Sequence, residues 1–218
     1  AHVYTVEQSL PNTDLLFAGT ATAGVWKSTD KGLNWTNVTK AMMIGTVRSV
    51  ELDHSNTNTA WFGGEGSLYR TTDGSPFSGV SHTINDIVLH PGNAQILFVC
   101  SNQGLYRSTN AGTSFTQVST GIWQELEFMP GDPNTIYAIK QVSNRTEFWR
   151  STNNGVSFTQ VGTGWPNPTS PSEQKRTEIA VSPVSPNTVY ALCTGVANGG
   201  SGLYGVYKST DNGTTWTF

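Results

Sequence analysis

The chain has 218 residues, of which 12% are charged, and its formal net charge is −3. This length can bury a full hydrophobic core. The low charge and the lack of a basic cluster give no electrostatic case for nucleic-acid binding, and no apolar run is long enough for membrane insertion. The first residues carry no signal-peptide pattern, so we expect any targeting segment to have been removed or to lie outside this chain.

One segment recurs five times along the chain. Its acidic or amide residue falls at positions 30, 73, 110, 153 and 211, at intervals of 43, 37, 43 and 58 residues. A Pro/Asn turn precedes each copy, most clearly at 130–138 and 183–191. Each repeat therefore predicts strand A, the Pro/Asn turn, strand B, a loop, strand C, a turn around the recurrent Asp or Asn (here the boxed turn) and strand D.

This order predicts an all-β fold, a β-propeller of five four-stranded antiparallel blades in a single domain, 1–218. The blades run about 1–39, 46–80, 84–118, 122–161 and 176–218. Two arrangements stay open: a closed five-bladed ring, or part of a larger propeller of six to eight blades in a longer chain. In the second case, the edges of the first and last blades should pair with further blades or with a second copy.

The chemistry of the boxed turn explains which residue types recur in it. The Asp or Asn side chain is expected to accept hydrogen bonds from turn amides two or three residues on. The glycine supplies a positive φ, and the last aromatic residue buries its ring over strands C and D. The second copy is one residue shorter, so its turn must differ. The structural residues of the five copies are Asp30, Gly32, Trp35, Asp73, Asn110, Gly112, Phe115, Asn153, Gly155, Phe158, Asp211, Gly213 and Trp216.

The pattern Ser-x-Asp-x-Gly-x-x-Trp resembles the Asp-box, or BNR, signature. With its Pro/Asn partners it is similar to the repeats of sialidases, family-74 xyloglucanases, sortilin-type receptor domains and the photosystem II assembly propeller. The run Gly-Val-Trp-Lys-Ser-Thr-Asp also resembles secreted bacterial BNR-repeat or sortilin-like proteins. The resemblance implies a propeller and an extracellular or cell-surface location, but it leaves function open because these relatives do unrelated things.

The loops between strands B and C and between D and A should share one irregular face. Predicted loops there include 121–123, 162–175 and 195–205. Trp123, Trp165 and Tyr204 on these loops are candidates for stacking on a sugar or packing a partner. The alternative is that they cap blade edges.

Strand A carries acidic residues in a shared register. Asp86, Glu125 and Glu178 lie five residues before the turn proline, and Ser49 holds the matching place in the second repeat. Such carboxylates can bind a cation or form the acid/base pair of a glycoside hydrolase. They can equally be hydrated side chains of a central channel. Glu178 is a ligand-binding candidate, and the catalytic candidates of the hydrolase alternative are Glu65, Asp86 and Glu125.

Other enzyme classes fit poorly. A sialidase needs three convergent arginines, whereas Arg70, Arg107 and Arg150 hold one repeat position that Lys27 and Lys208 share. Family-74 enzymes resemble the chain but divide their catalytic aspartates between two propellers, for which this chain is too short. No metal, phosphate or nucleophile motif occurs, so no cofactor or metal is expected. We therefore predict a non-catalytic propeller that binds a protein or glycan through its loop face, with a glycoside hydrolase, or a fragment of one, as the alternative.

Two further features are weakly informative. Cys100 and Cys193 lie in strand-like segments of non-adjacent repeats, which favours unpaired thiols over a disulfide. Glycosylation sequons occur at Asn34, Asn37, Asn144 and Asn212, and they matter only in a host that glycosylates.

Overall fold

The computed structural model describes residues 2–42, 44–53, 55–57, 59–70, 80–168, 173–197 and 200–218. Apart from one 3₁₀ turn at Lys40–Met42, its regular elements are strands. They are β1 Val3–Gln8, β2 Leu16–Thr20, β3 Val25–Ser28, β4 Thr36–Asn37, β5 Val47–Leu52, β6 Ala60–Gly64, β7 Leu68–Arg70, β8 Ile84–Leu89, β9 Leu97–Ser101, β10 Gly104–Ser108, β11 Thr116–Thr120, β12 Ile122–Met129, β13 Asp132–Val142, β14 Arg145–Ser151, β15 Thr159–Gln160, β16 Glu173–Val181, β17 Val189–Ala197 and β18 Gly200–Ser209.

The strands form antiparallel sheets in chain order, as the repeats predict. The first sheet is β1–β4, the second β5–β7, the third β8–β11, the fourth β12–β15 and the fifth β16–β18. The second and fifth sheets have three described strands rather than the predicted four. In the second, the segment that includes Asp73 lies outside the described residues. In the fifth, the predicted strand D is reduced to a bridge between Lys208 and Thr217.

The chain divides into two compact units. One comprises residues 1–102 with 106–116, and the other comprises 103–105 with 117–218. Within the first unit β1 contacts β5 and β5 contacts β8, and within the second unit β12 contacts β16. The first strands of consecutive sheets are thus neighbours inside each unit.

Every first strand carries a register shift, which falls at one repeated place in the first four sheets and two residues earlier in the fifth. One extra residue interrupts the pairing with the second strand at Tyr4, Arg48, Asn85, Gln124 and Lys175. Such a bulge bends the strand and re-aims the side chains that follow it. The repeated sequence pattern does not indicate this bulge.

The boxed turns are built alike wherever the structure describes them. In the first sheet, Asp30 Oδ1 accepts a 2.8 Å hydrogen bond from the Asn34 amide, and Ser28 Oγ accepts a 2.9 Å bond from the Gly32 amide. The amide that donates this bond is therefore four residues on, one further than expected, and the Leu33 amide three residues on makes a weaker interaction with the Asp30 carboxylate. The residue before the glycine also has positive φ, as in Lys31 at 60°. The same bonds recur at 108–114, 151–157 and 209–215.

Within each unit, apolar residues fill the space between consecutive sheets. In the first unit, Phe17 and Val25 of the first sheet pack with Val50 and Phe62 of the second. Cys100 and Cys193 are buried thiols that form no disulfide, as the sequence predicts. Among the residues that the structure describes, no helix is long and apolar enough to cross a membrane.

Candidate functional site

Trp123 does not lie on an exposed loop. It belongs to β12 and is fully buried, with its ring edge-to-face against Trp149 at 5.7 Å between centroids. Its indole N–H donates to the Thr120 carbonyl at 3.2 Å. The loop predicted at 121–123 was therefore wrong for its last two residues, and the buried ring offers no face for stacking on a ligand.

Tyr204 also lies on a strand rather than a loop. The segment predicted as a loop, 195–205, is largely taken up by β17 and β18. Tyr204 falls at the register shift of that strand pair and packs against the core of the fifth sheet. Its β-branched and aromatic neighbours favour strand despite the surrounding glycines.

Trp165 is the predicted loop aromatic that does lie outside the strands. Its ring packs against Phe148 and Trp216, with centroids 5.5 and 4.8 Å away. Its indole N–H donates a 2.8 Å bond to the Thr146 carbonyl. Trp165 and Tyr204 thus pack against one core cluster, and the part of Trp165 that stays exposed borders a cleft.

This cleft, called here the loop cleft, has a volume of about 210 Å³. Arg145 lines it and contacts two other lining residues: Nη2 contacts Glu147 Oε1 at 3.0 Å, and Nη1 donates to Asn167 Oδ1 at 3.1 Å. Glu147 is largely buried and also accepts a 3.2 Å bond from the Trp149 indole. The arrangement combines fixed donors, fixed acceptors and an aromatic edge in one concave surface. Its lining residues are Arg145, Thr146, Glu147, Gln160, Val161, Gly162, Trp165, Pro166 and Asn167.

The carboxylates of the first unit are engaged with neighbouring strands. Asp86 Oδ1 accepts a 3.2 Å bond from Ser49 Oγ, which itself accepts a bond from the Ile87 amide. Glu51 Oε1 accepts a 2.8 Å bond from the Leu89 amide. Burial, and secondarily the charge of Asp86, raises the pKa of Glu7 to about 6. The hydrogen bonds of Ser49, Glu51 and Asp86 connect β5 and β8.

Glu65, by contrast, is exposed at the end of β6 and pairs loosely with Arg48, at 3.9 Å. The structure therefore gives Glu65 and Asp86 different surroundings: one is a solvated ion pair, the other an inter-strand hydrogen-bond acceptor. A two-carboxylate mechanism needs both groups to face one open substrate site.

In the second unit, Glu125 is largely buried on β12, and Glu178 is exposed on β16, where it pairs with Arg176. Between these strands runs a buried amide network. Gln124 Oε1 accepts from the Thr177 amide at 3.0 Å, and Gln174 Oε1 accepts from the Thr146 amide at 3.0 Å. The network satisfies buried backbone groups and fixes the strands.

The five repeated cations lie along the third strands and do not converge. Lys27, Arg107 and Lys208 lie over second-strand aromatic rings, at 5.4, 5.8 and 5.5 Å from the centroids. Arg70 and Arg150 pair across the sheet with Trp61 and Tyr137. This is a structural ladder and not the arginine cluster of a sialidase. Within the described parts of the chain, no three His, Cys, Asp or Glu side chains meet as metal ligands.

Comparison with known proteins places these features on a known architecture. No family model matches the chain. The chain is 32% identical over 125 residues to the xyloglucanase of Hypocrea jecorina (strain QM6a), a match that covers 54% of this chain and 14% of that protein. It superposes on the GH74 xyloglucanase from Xanthomonas campestris with a TM-score of 0.71 and 16% identity, covering 98% of this chain and 38% of that one.

A third similarity is to YCF48 bound to a D1 peptide, with a TM-score of 0.57 and 14% identity, covering 100% of this chain and 80% of that one. The antiparallel sheets and these superpositions together show an all-β fold of the β-propeller type. The chain spans about a seventh of the curated xyloglucanase that it matches. The activity of that whole enzyme therefore does not carry over with the fold.

Proposed function

We propose that this chain is an Asp-box propeller segment, a single domain of five blades, which binds a glycan at the loop cleft without cleaving it. The observation that carries the proposal is the polar arrangement of that cleft. Arg145, Glu147 and Asn167 hold one another at 3.0 and 3.1 Å, beside Trp165. Their donors and acceptors are thus set in position before a ligand arrives, which reduces the ordering cost of binding.

Sugars suit such a surface because each hydroxyl both donates and accepts. The guanidinium of Arg145 offers N–H donors in a planar fork, and the carboxylate of Glu147 offers acceptor oxygens. The side chain of Arg145 is 39% exposed, so a ligand can reach it. The likeness to xyloglucanases supports a glycan as the ligand class. It also supports an extracellular location, where plant or microbial polysaccharides occur.

The proposal that the chain does not cleave its ligand is supported by the carboxylates of the cleft. Glycoside hydrolysis uses two carboxyl groups roughly 5–10 Å apart across the scissile bond. Glu147, bound by both Arg145 and Trp149, is the one carboxylate among the residues that line the loop cleft.

The test is titration of the purified chain with xyloglucan, cellulose and mannan oligosaccharides by calorimetry. We expect Arg145→Ala and Asn167→Ala each to weaken binding at least about 10-fold, which corresponds to roughly 1.4 kcal/mol. Arg176→Ala is the matched control, because Arg176 is another partly exposed arginine of the same unit in an ion pair outside the cleft. The proposal is wrong if no glycan binds, or if Arg176→Ala weakens binding as much as Arg145→Ala.

A glycoside hydrolase segment is the second candidate, favoured by the 32% identity to a xyloglucanase. It predicts release of reducing sugar from one of the same glycans, lost on Glu65→Gln, Asp86→Asn or Glu125→Gln. Since Asp86 bonds Ser49 and Glu125 is buried, each variant's thermal melt must match that of the unmodified chain before a loss of activity is assigned to catalysis.

A further inference from the structure

Within each unit, consecutive sheets pack through two faces whose residues recur at fixed repeat positions. We call one of these the forward face. Its second strand contributes the aromatic residue of the repeat and the residue two positions after it. Its third strand contributes the residue two positions before the repeated cation. In the fourth sheet these are Tyr137, Ile139 and Phe148, all fully buried. They form one core cluster with Ile179 and Ala191 of the fifth sheet.

The forward face is buried in every sheet except the fifth. In the fifth sheet its residues are Tyr190, Leu192 and Val206, which remain 43%, 45% and 45% exposed. In the first three sheets the equivalent residues are at most 2% exposed. These are Phe17, Val25, Trp61, Leu68, Phe98, Cys100 and Leu105.

The opposite, or rear, face is uncovered in the first sheet. Val6 is 53% exposed there, and Val3 is 56% exposed. Val3, Val6, Ala18, Thr20, Trp26 and Trp35 line an apolar groove of about 360 Å³. In the later sheets the residues that match Val6 are at most 5% exposed. These are Val50, Ile87, Leu126 and Ile179.

We propose that the forward face of the fifth sheet docks into the rear face of the first sheet of a second copy, so that chains associate head to tail. The two faces are the matching halves of an interface already formed inside the chain. Where Phe148 of the fourth sheet meets Trp216 and Ile179 of the fifth, Val206 would meet Trp35 and Val6 of the second copy.

The sizes of the side chains also fit. Inside the first unit, the position of Leu192 is held by Gly19 and Gly63, which lie directly against Val47 and Ile84. In the proposed contact, Leu192 takes the place of the smaller glycine. Val3 of the second copy lies opposite Leu192, beside an open groove. The added volume of leucine fills that groove, as good packing requires.

A second copy is the occupant because one chain carries both halves and exposes both. Exposed contiguous apolar surface of this kind marks an interaction site. Pairing of unlike faces is heterologous, so it builds head-to-tail dimers and longer species rather than a two-fold dimer.

The experiment is light scattering on size-exclusion fractions of the purified chain over a wide range of concentration. The unmodified chain is expected to form dimers and larger species as concentration rises. Val6→Glu blocks the rear face and Leu192→Glu the forward face, so each variant alone should be monomeric. Mixed in equal amounts, the two variants should form a heterodimer and nothing larger, since each keeps the face that the other lacks.

Val156→Glu is the control, because Val156 is 62% exposed in the fourth boxed turn and belongs to neither face; it should associate like the unmodified chain. If a Glu variant fails to fold by circular dichroism, Val6→Thr and Leu192→Thr keep strand propensity and should raise the dissociation constant at least about 10-fold. A strictly monomeric unmodified chain overturns the proposal. So does a single variant that still dimerises by itself.

Discussion

Arg150 Nη1 donates a 2.9 Å hydrogen bond to the backbone carbonyl of Asn212, which lies in the boxed turn of the following sheet. The same turn receives a 3.2 Å bond from the Tyr137 hydroxyl to Asn212 Oδ1. Asn212 has a φ of 58°, so its backbone is held in the left-handed region. A repeated cation of one sheet therefore secures the turn of the next, which gives the cation and the turn a joint structural role.

The first prediction concerns this contact. Arg150→Met keeps the stem of the side chain but removes the donors to Asn212 and Thr214. Hydrogen bonds from charged groups contribute about 1.5–3 kcal/mol, and we expect a loss near the lower limit because the site is partly exposed. Urea unfolding measures it. Lys208→Met is the control: Lys208 holds the same repeat position and lies over Tyr190, so its loss should cost about 0.5 kcal/mol. Equal losses would contradict the assignment.

The second prediction compares two glycines of the boxed turns. Gly32 and Gly213 both have positive φ, but a Cβ at Gly213 would lie 2.1 Å from Phe148 Cε1, whereas at Gly32 the nearest contact is 3.6 Å. Gly32→Ala should cost about 1–2 kcal/mol of unfolding free energy from backbone strain alone. Gly213→Ala should cost roughly 1–3 kcal/mol more from overpacking. Equal effects in urea titrations would mean that Phe148 moves away freely.

The repeated sequence pattern was sufficient to predict the strand order, because each boxed turn and each Pro/Asn turn fixes a hairpin locally. It was not sufficient to place Trp123. That residue follows Gly121, which suggested a loop, yet it precedes the bulge at Gln124 just as Val47 and Ile84 precede theirs. All three positions are buried. Alignment on the first strands would have indicated this, whereas alignment on the turns did not.

The loop cleft was not predictable for a different reason. Arg145 and Glu147 alternate on one side of β14, but Asn167 and Trp165 come from a loop about twenty residues later. Their meeting depends on Trp165 packing on Phe148 and Trp216, which is a long-range contact. Single-sequence patterns carry local periodicity and no information on such contacts.

The third prediction concerns acid stability. Hydrogen bonds from the Thr215 hydroxyl and amide, with that of Ser209, lower the pKa of Asp211 from 3.8 to about 2. A lowered pKa contributes stability above the ordinary value, and this contribution is lost as the pH falls toward 2. Asp211→Asn should therefore be slightly less stable at neutral pH and should converge with the unmodified chain near pH 2, as measured by thermal melts.

The turns at Asn110 and Asn153 supply the reverse experiment, because their amide oxygens accept the same bonds without a charge. Asn153→Asp should add an acid-dependent decrease in melting temperature that the unmodified chain lacks at that turn. If neither exchange changes the pH dependence, the carboxylate charge contributes nothing to the boxed turn.

The fourth prediction concerns Glu7, whose pKa is raised rather than lowered, so its effect on stability changes with pH in the opposite direction. Burial, with a smaller contribution from Asp86, raises the pKa of Glu7 from 4.5 to about 6. The folded state thus favours the protonated carboxyl, so its stabilising effect is complete below pH 4.5 and is lost as the pH rises through 6. Glu7→Gln should stabilise the chain above that pH, by at most about 2 kcal/mol at 1.36 kcal/mol per pKa unit, less the screening by solvent. Below pH 4.5 the two proteins should melt alike, and a constant difference at every pH would show that the amide acts through packing rather than charge.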